Sequence, residues 1–168
     1  VTPDDRQAMY RDMARVLARL HAVRPADVGL SDFGKPGNYF ARQIARWTRQ
    51  YVESTGPRIA ALDHLVDWLP ANMPEDDGAV SIAHGDFRVG NLMWHMTEPR
   101  VIGVLDWELS TLGHPLADLG FCAIPWHSST DEYAGLLGSD WQAAGIPSRD
   151  DFVAEYFAHA APTGPLLP

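Results

Sequence analysis

Apolar residues recur along the first part of the chain at intervals of three and four, a spacing that predicts helices. Between residues 2 and 23, Tyr10, Met13, Val16, Leu17, Leu20 and Val23 make one stripe, and Arg11, Arg15 and Arg19 make a separate charged row. Thr2 can cap this helix, Pro3 suits its first turn, and Asp5 stands three residues after Thr2 as in a capping box. Pro and Gly then fall at turn-like spacing over residues 24–38, RPADVGLSDFGKPGN, which predicts a loop. A second helix is expected over 39–54, with Phe40, Ile44, Trp47 and Tyr51 on one side. Gly56 stops it and Pro57 opens a third, in which Ile59, Leu62, Leu65, Val66 and Leu69 face inward until Pro70 ends it.

The pattern changes after the acidic, breaker-rich stretch PANMPEDDG at 70–78. AVSIAHG (79–85), NLMWH (91–95) and RVIGVLD (100–106) are short apolar runs bounded by turn residues, and they predict short strands. Helical spacing returns at Pro115, Leu116, Leu119, Phe121 and Cys122. Two more short helices are expected over 131–145 and 148–160. The sequence therefore predicts an α+β, predominantly helical domain with a small β patch between two helical parts. It shows no internal repeat and no long linker.

Composition narrows the class. With 168 residues and 46% hydrophobic positions, one domain with a sizeable core is expected. No run approaches the roughly 18 apolar residues of a membrane span, so no membrane partner is expected. No signal peptide is visible, and Cys122, the one cysteine, cannot form an internal disulfide. Cys122 lies in LGFCAI and reads as a small buried side chain; together these features favour a reducing, cytoplasmic location. A net charge of −9 argues against nucleic acid. Residues 1–58 hold ten Lys/Arg against six Asp/Glu, whereas 59–168 hold three against sixteen. This asymmetry fits a basic helical face in one half, and metal-binding acids with solvated surface in the other. His84, His95, His114 and His127 match no zinc spacing. Most of the six tryptophans read as core. The GKPGN stretch at 34–38 has no phosphate-loop pattern and reads as a lead into the second helix.

The chemistry concentrates in AHGDFRVGNLMWH, residues 83–95, where a carboxylate and a carboxamide share a tight loop between two apolar runs. Phosphoryl transfer needs a carboxylate near the attacking hydroxyl, oxygen ligands for Mg²⁺ and positive charge on the moving phosphate. Asp86 is the candidate base, Arg88 the candidate phosphate contact and Asn91 a candidate metal ligand. Asp106 closes a hydrophobic strand fifteen residues after Asn91 and is the second candidate ligand. Glu108 is either a further carboxylate for the metal or a capping or solvated residue.

The sequence HGDFRVGNLMW…VIGVLDWELSTLGHPLADLG resembles the aminoglycoside-phosphotransferase-like family of small-molecule kinases, in the branch associated with acyl-CoA dehydrogenases. GNYFARQIARWTRQY is similar to a segment of the same branch. The resemblance covers about residues 1–160 and is strongest over 80–121. It implies the C-terminal lobe of a protein-kinase-like fold, with ATP as phosphoryl donor and Mg²⁺ as cofactor. It also implies that Asp86 accepts or orients the substrate hydroxyl proton and that Asn91 and Asp106 hold Mg²⁺. His84 is implied to brace the loop, Arg88 to lie near the γ-phosphate, and Asp118 to support the loop from beneath.

The strand-rich N-terminal lobe of that family is absent from this sequence, and Lys35 is its one lysine. Both ends read as cut, with Val1 in place of Met at one and APTGPLLP at the other. The expectation is thus a phosphotransferase acting on a small-molecule hydroxyl and impaired as this fragment. A hydroxyacyl-CoA-like acceptor is implied by the resemblance; antibiotic, choline and sugar hydroxyls fit the motif equally. A non-catalytic kinase-like scaffold is the alternative, and a metal-dependent phosphoesterase is a third, weaker one. A lobe that exposes apolar surface is also expected to form a homodimer or swapped assembly.

Overall fold

The computed structural model describes residues 1–132 and 134–160. The first helix, α1 (Pro3–His21), starts with the capping box read from the sequence: the Asp5 N–H donates to Thr2 Oγ1 at 3.1 Å, and the Thr2 N–H donates to Asp5 Oδ2 at 3.0 Å. Its stripe buries Met13, Ala14, Leu17 and Ala18, while Arg11, Arg15 and Arg19 stay exposed. The small Ala14 and Ala18 let the last helix, α5 (Arg149–His159), approach closely, and Phe152 and Tyr156 of α5 complete that part of the core. Asp12 interrupts the buried stripe but keeps its partners: it accepts the Val101 N–H at 2.6 Å and an Arg15 guanidinium N–H.

Among the described residues, four short strands form two antiparallel pairs. β1 (Ser81–Ala83) pairs with β4 (Thr111–Gly113), placing Ile82 opposite Leu112. β2 (Leu92–Trp94) pairs with β3 (Val101–Val104), placing Leu92 opposite Val104. The sequence indicated three of these strands; β4 is three residues long and runs into Gly113, His114 and Pro115, so it carries no readable alternation. α4 (Pro115–Ala123) follows, capped by His114 Nδ1, which accepts the Leu116 N–H at 3.2 Å. Leu119, Cys122 and, within the 3-10 turn Ile124–His127 that follows, Trp126 join the core beside Phe87 and Leu92.

The middle of the chain departs from expectation. α2 (Tyr39–Glu53) and α3 (Ala60–Ala71) form a hairpin in which no residue is buried. α3 begins at Ala60, three residues after Pro57, and Pro70 sits in its last turn. Ile59, Leu62 and Leu65, expected to face inward, are 50%, 38% and 40% exposed, and Val66 and Leu69 are half-buried. The stripe is real, but among the described residues its main neighbour is α2, which covers it only in part. The Tyr51 hydroxyl ties the hairpin, donating to Asp63 Oδ1 at 3.0 Å and accepting the Ile59 N–H at 2.8 Å. The tryptophans are also corrected. Trp126 is buried, Trp94 and Trp141 are half-buried, and Trp47, Trp68 and Trp107 are exposed.

The helix expected over 131–145 is not formed among the described residues, which make turns instead; Tyr133 lies outside them. Gly138 and Gly145 adopt φ of +85° and +81°, which a helix does not accept. The segment 148–160 does fold as read, as α5 capped by Ser148. Among the described residues no helix is long and apolar enough to cross a membrane.

Candidate active site

β1 ends at Ala83 and the chain turns sharply through His84 and Gly85. Gly85 stands at φ +86°, and a Cβ there would lie 2.6 Å from the Leu109 carbonyl oxygen, so both the backbone and the space require glycine. The turn exposes two backbone N–H groups to the interior. Asp118, 1% exposed on α4, accepts both: His84 N–H at 2.6 Å on Oδ2 and Gly85 N–H at 2.8 Å on Oδ1. The same Oδ2 lies 3.2 Å from His21 Nε2, at the end of α1, and His21 Nδ1 lies 2.8 Å from the Tyr156 hydroxyl of α5. Burial, then the charge of Asp118, pushes the Tyr156 phenol up to about 12.

His84 is fully buried and spans the site. Its Nδ1 accepts the Asp86 N–H at 3.2 Å and its Nε2 meets the Leu105 carbonyl at 2.9 Å. A carbonyl can only accept, so Nε2 carries the proton and the tautomer is set. The ring thereby links the loop to the end of β3. The β2–β3 pairing continues there, with the Leu105 N–H donating to the Asn91 carbonyl at 2.8 Å. Asp106 follows at once, exposed, at φ 66° and ψ 60°. Asp tolerates this left-handed region better than most residues, yet it remains strained backbone at a candidate site.

Asp86 is half-buried and oriented by its neighbours. Its Oδ2 accepts from Asn91 Nδ2 at 2.8 Å and from Arg88 Nε at 3.2 Å, and Asn91 Nδ2 also donates to the Asp86 carbonyl at 2.9 Å. Asn91 is 5% exposed, and with Nδ2 engaged its Oδ1 is the atom that can meet a cation. Arg88 also borders a cavity of about 240 Å³ shared with Val89, Phe121, Ile124 and Trp126. Glu108 lies on an exposed 3-10 turn just past Asp106. Cys122 is buried and its thiol points to the Phe87 carbonyl at 3.1 Å. Burial, and then the Asp118 charge, pushes that thiol well above its usual range, so it is inert as a nucleophile.

The tertiary structure thus brings His84, Asp86, Arg88, Asn91 and Asp118 into one hydrogen-bonded unit, with Asp106 at the adjoining strand end. Sequence reasoning missed His21 and Tyr156. Their signal is faint: each sits four residues after a core position of its own helix, Leu17 and Phe152. Among the described residues no three His, Cys, Asp or Glu side chains converge as a metal cluster. The oxygens offered by Asn91 and Asp106 are hard donors, one carboxamide and one carboxylate. They suit Mg²⁺, which takes few protein ligands, and do not suit zinc.

The profile of the Phosphotransferase enzyme family matches residues 1–159. The chain belongs to that family.

Relatives of this phosphotransferase-family chain include the probable acyl-CoA dehydrogenase IBR3 of Arabidopsis thaliana, 40% identical over 93% of the chain, and human acyl-CoA dehydrogenase family member 11, 36% identical over 93%. The chain spans 20% of the length of each of them. Among solved structures, a Ralstonia eutropha protein assigned as an aminoglycoside phosphotransferase is 48% identical, with a TM-score of 0.90 over 98% of this chain and 51% of its own. The streptomycin–ATP complex of APH(2")-IIa, 17% identical with a TM-score of 0.52 over 95% of this chain and 49% of its own, shares the fold. The architecture is therefore the kinase-like one of the aminoglycoside phosphotransferases, represented here in part.

Proposed function

We propose that the protein transfers the γ-phosphoryl group of ATP to a hydroxyl of a small molecule. The observation that carries this reading is the Asp86–Asn91 pair, joined at 2.8 Å and tied through His84 to the strand end that bears Asp106. Among the described residues, both hydrogen bonds to the Asp86 carboxylate go to Oδ2, which leaves Oδ1 for the acceptor hydroxyl. In the transfer a bond forms between the acceptor oxygen and the γ-phosphorus, the bond from that phosphorus to the ADP oxygen breaks, and Asp86 takes the hydroxyl proton. Arg88 supplies positive charge beside the moving group. Asn91 and Asp106 would hold Mg²⁺, which when bound neutralises phosphate charge. His84 and Asp118 hold the loop and touch no reactant. Glu108, exposed past Asp106, is assigned to solvent.

ATP as donor is supported by the fold shared with a streptomycin–ATP complex. The names of the plant and human relatives support testing hydroxyacyl-CoA esters first among acceptors, followed by antibiotic and sugar hydroxyls. The decisive test is calorimetric titration with ATP, with and without Mg²⁺, beside Asp106→Ala. Mg²⁺-dependent binding that the substitution abolishes is the expected result. Binding indifferent to Mg²⁺ and to Asp106 would remove the basis for the assignment and favour a non-catalytic kinase-like domain.

A further inference from the structure

The catalytic loop has a second face. Asp86 and Asn91 turn toward each other, while Arg88, Val89 and Gly90 between them border the cavity of about 240 Å³. Its floor is buried and is made by Met13 of α1, Cys122 of α4 and Trp126. Its rim is open, with Val89 and Ile124 exposed and Phe121 half-buried. The polar groups of the floor are already engaged. The Trp126 indole N–H donates to the Pro147 carbonyl at 3.0 Å, and the Cys122 thiol donates to the Phe87 carbonyl at 3.1 Å. The floor therefore offers a ligand ring faces, a thioether and hydrocarbon. No Asp or Glu lines the cavity among the described residues, so an ammonium group would find no counter-ion there. An apolar cavity of about 150 Å³ accepts benzene, and this one is larger. A second cavity of about 370 Å³ shares Tyr10, Met13 and Val89 with it, so the apolar surface continues along α1 toward Met9.

Arg88 connects the two faces of the loop. Its Nε donates to Asp86 Oδ2 at 3.2 Å, and its Nη1 lies over Gly90, where a Cβ would come within 2.6 Å of it. One guanidinium thus touches the candidate base and borders the cavity. The Cα atoms of Asp86 and Arg88 are at most about 7 Å apart, a span that a few carbon atoms cover. A hydroxyl at Asp86 Oδ1 and a chain in the cavity can therefore belong to one molecule. We propose that this cavity binds the apolar part of the acceptor, whose hydroxyl is thus carried on an aliphatic chain and not on an amino sugar. The acceptor role rests on the phosphotransfer reading; the cavity's ligand class rests on its walls.

The test uses the full chain, with any further residues its gene encodes. Straight-chain 1-alkanols from butanol to decanol are titrated without nucleotide, and the methyl signals of Met13, Val89 and Ile124 are followed by NMR. Those signals should shift together, and affinity should rise about fourfold per added methylene until the cavity is filled. Kanamycin, a polycationic amino sugar, should leave them unmoved. Ile124→Trp fills the mouth from an exposed position, and Ile124→Asp sets a charge there without added bulk. Each should weaken octanol binding at least about tenfold, the equivalent of roughly two buried methylenes. In turnover with Mg²⁺ and ATP, Ile124→Trp should raise the KM for the alkanol about tenfold, with kcat and the KM for ATP changed less than about twofold. Affinity that ignores chain length, shifts confined to the exposed hairpin of α2 and α3, or an alkanol KM indifferent to Ile124→Trp would each overturn the proposal. So would kanamycin competing with octanol. If octanol binds as expected and no hydroxyl is phosphorylated, the phosphotransfer reading fails and the apolar site stands.

Discussion

At Gly85 two independent constraints meet, a left-handed backbone and a 2.6 Å approach to a carbonyl oxygen that cannot retreat from its own turn. Gly85→Ala should therefore cost at least about 2 kcal/mol in urea unfolding, more than left-handed strain alone, and should disorder the loop that holds Asp86. Tyr156 gives a prediction at the opposite pH extreme from most proteins' titrations. The folded protein keeps the phenolic proton up to about pH 12, whereas the unfolded chain loses it near 10.0. The native state thus binds more protons between those values, so the stabilisation is complete below pH 10.0 and is lost progressively toward pH 12. Thermal unfolding of Tyr156→Phe should show a shallower alkaline decline. Tyr10 and Tyr39 are raised as well, by burial first, so the decline is reduced and not abolished. Most of the candidate site was legible in the residues themselves, because a carboxylate, a carboxamide and a second carboxylate stand at a fixed spacing beside apolar runs. His21 and Tyr156 were not, because nothing local marks a histidine as a partner for an aspartate 97 positions away, or a tyrosine as a partner for a histidine 135 positions away.

The helices divide into two kinds. α1 and α5 read correctly because their apolar faces meet each other and the strands, so periodicity and burial agree. α2 and α3 carry equally clear stripes, but among the described residues no third layer covers them. The two cases should separate in stability measurements. Leu17→Ala, at a site with no exposure, is expected to cost about 2–5 kcal/mol, whereas Leu65→Ala, at 40% exposure, should cost less than about 1 kcal/mol. Denaturant midpoints at constant slope would check this. The failed helix over 131–145 has a different cause. Its apolar residues follow helical spacing, but glycines at 135, 138 and 145 offer the chain turns that the packing against α1 uses: a Cβ on Gly145 would collide with the Pro3 backbone.

Over the whole molecule, charge and exposed apolar surface act together. Arg42, Arg46 and Arg49 line α2, and Asp63 and Asp67 line α3, so two copies can set the basic helix of one against the acidic helix of the other and cover Trp47, Leu65 and Trp68. Sedimentation velocity on this chain is expected to show a concentration-dependent dimer that weakens with salt and with Trp47→Ser; a monomer at every concentration would contradict it. The sequence by itself determined the capped first helix, the strand patch, the Asp86–Asn91–Asp106 spacing and the family, because these rest on local pattern and on the order of residue types along the chain. The tertiary structure alone decided which stripes are buried, which tryptophans are core, that a fourth strand closes β1, and that two helices reach beneath the loop to hold Asp118. Those outcomes depend on what lies opposite each residue, and no spacing along a chain contains that information.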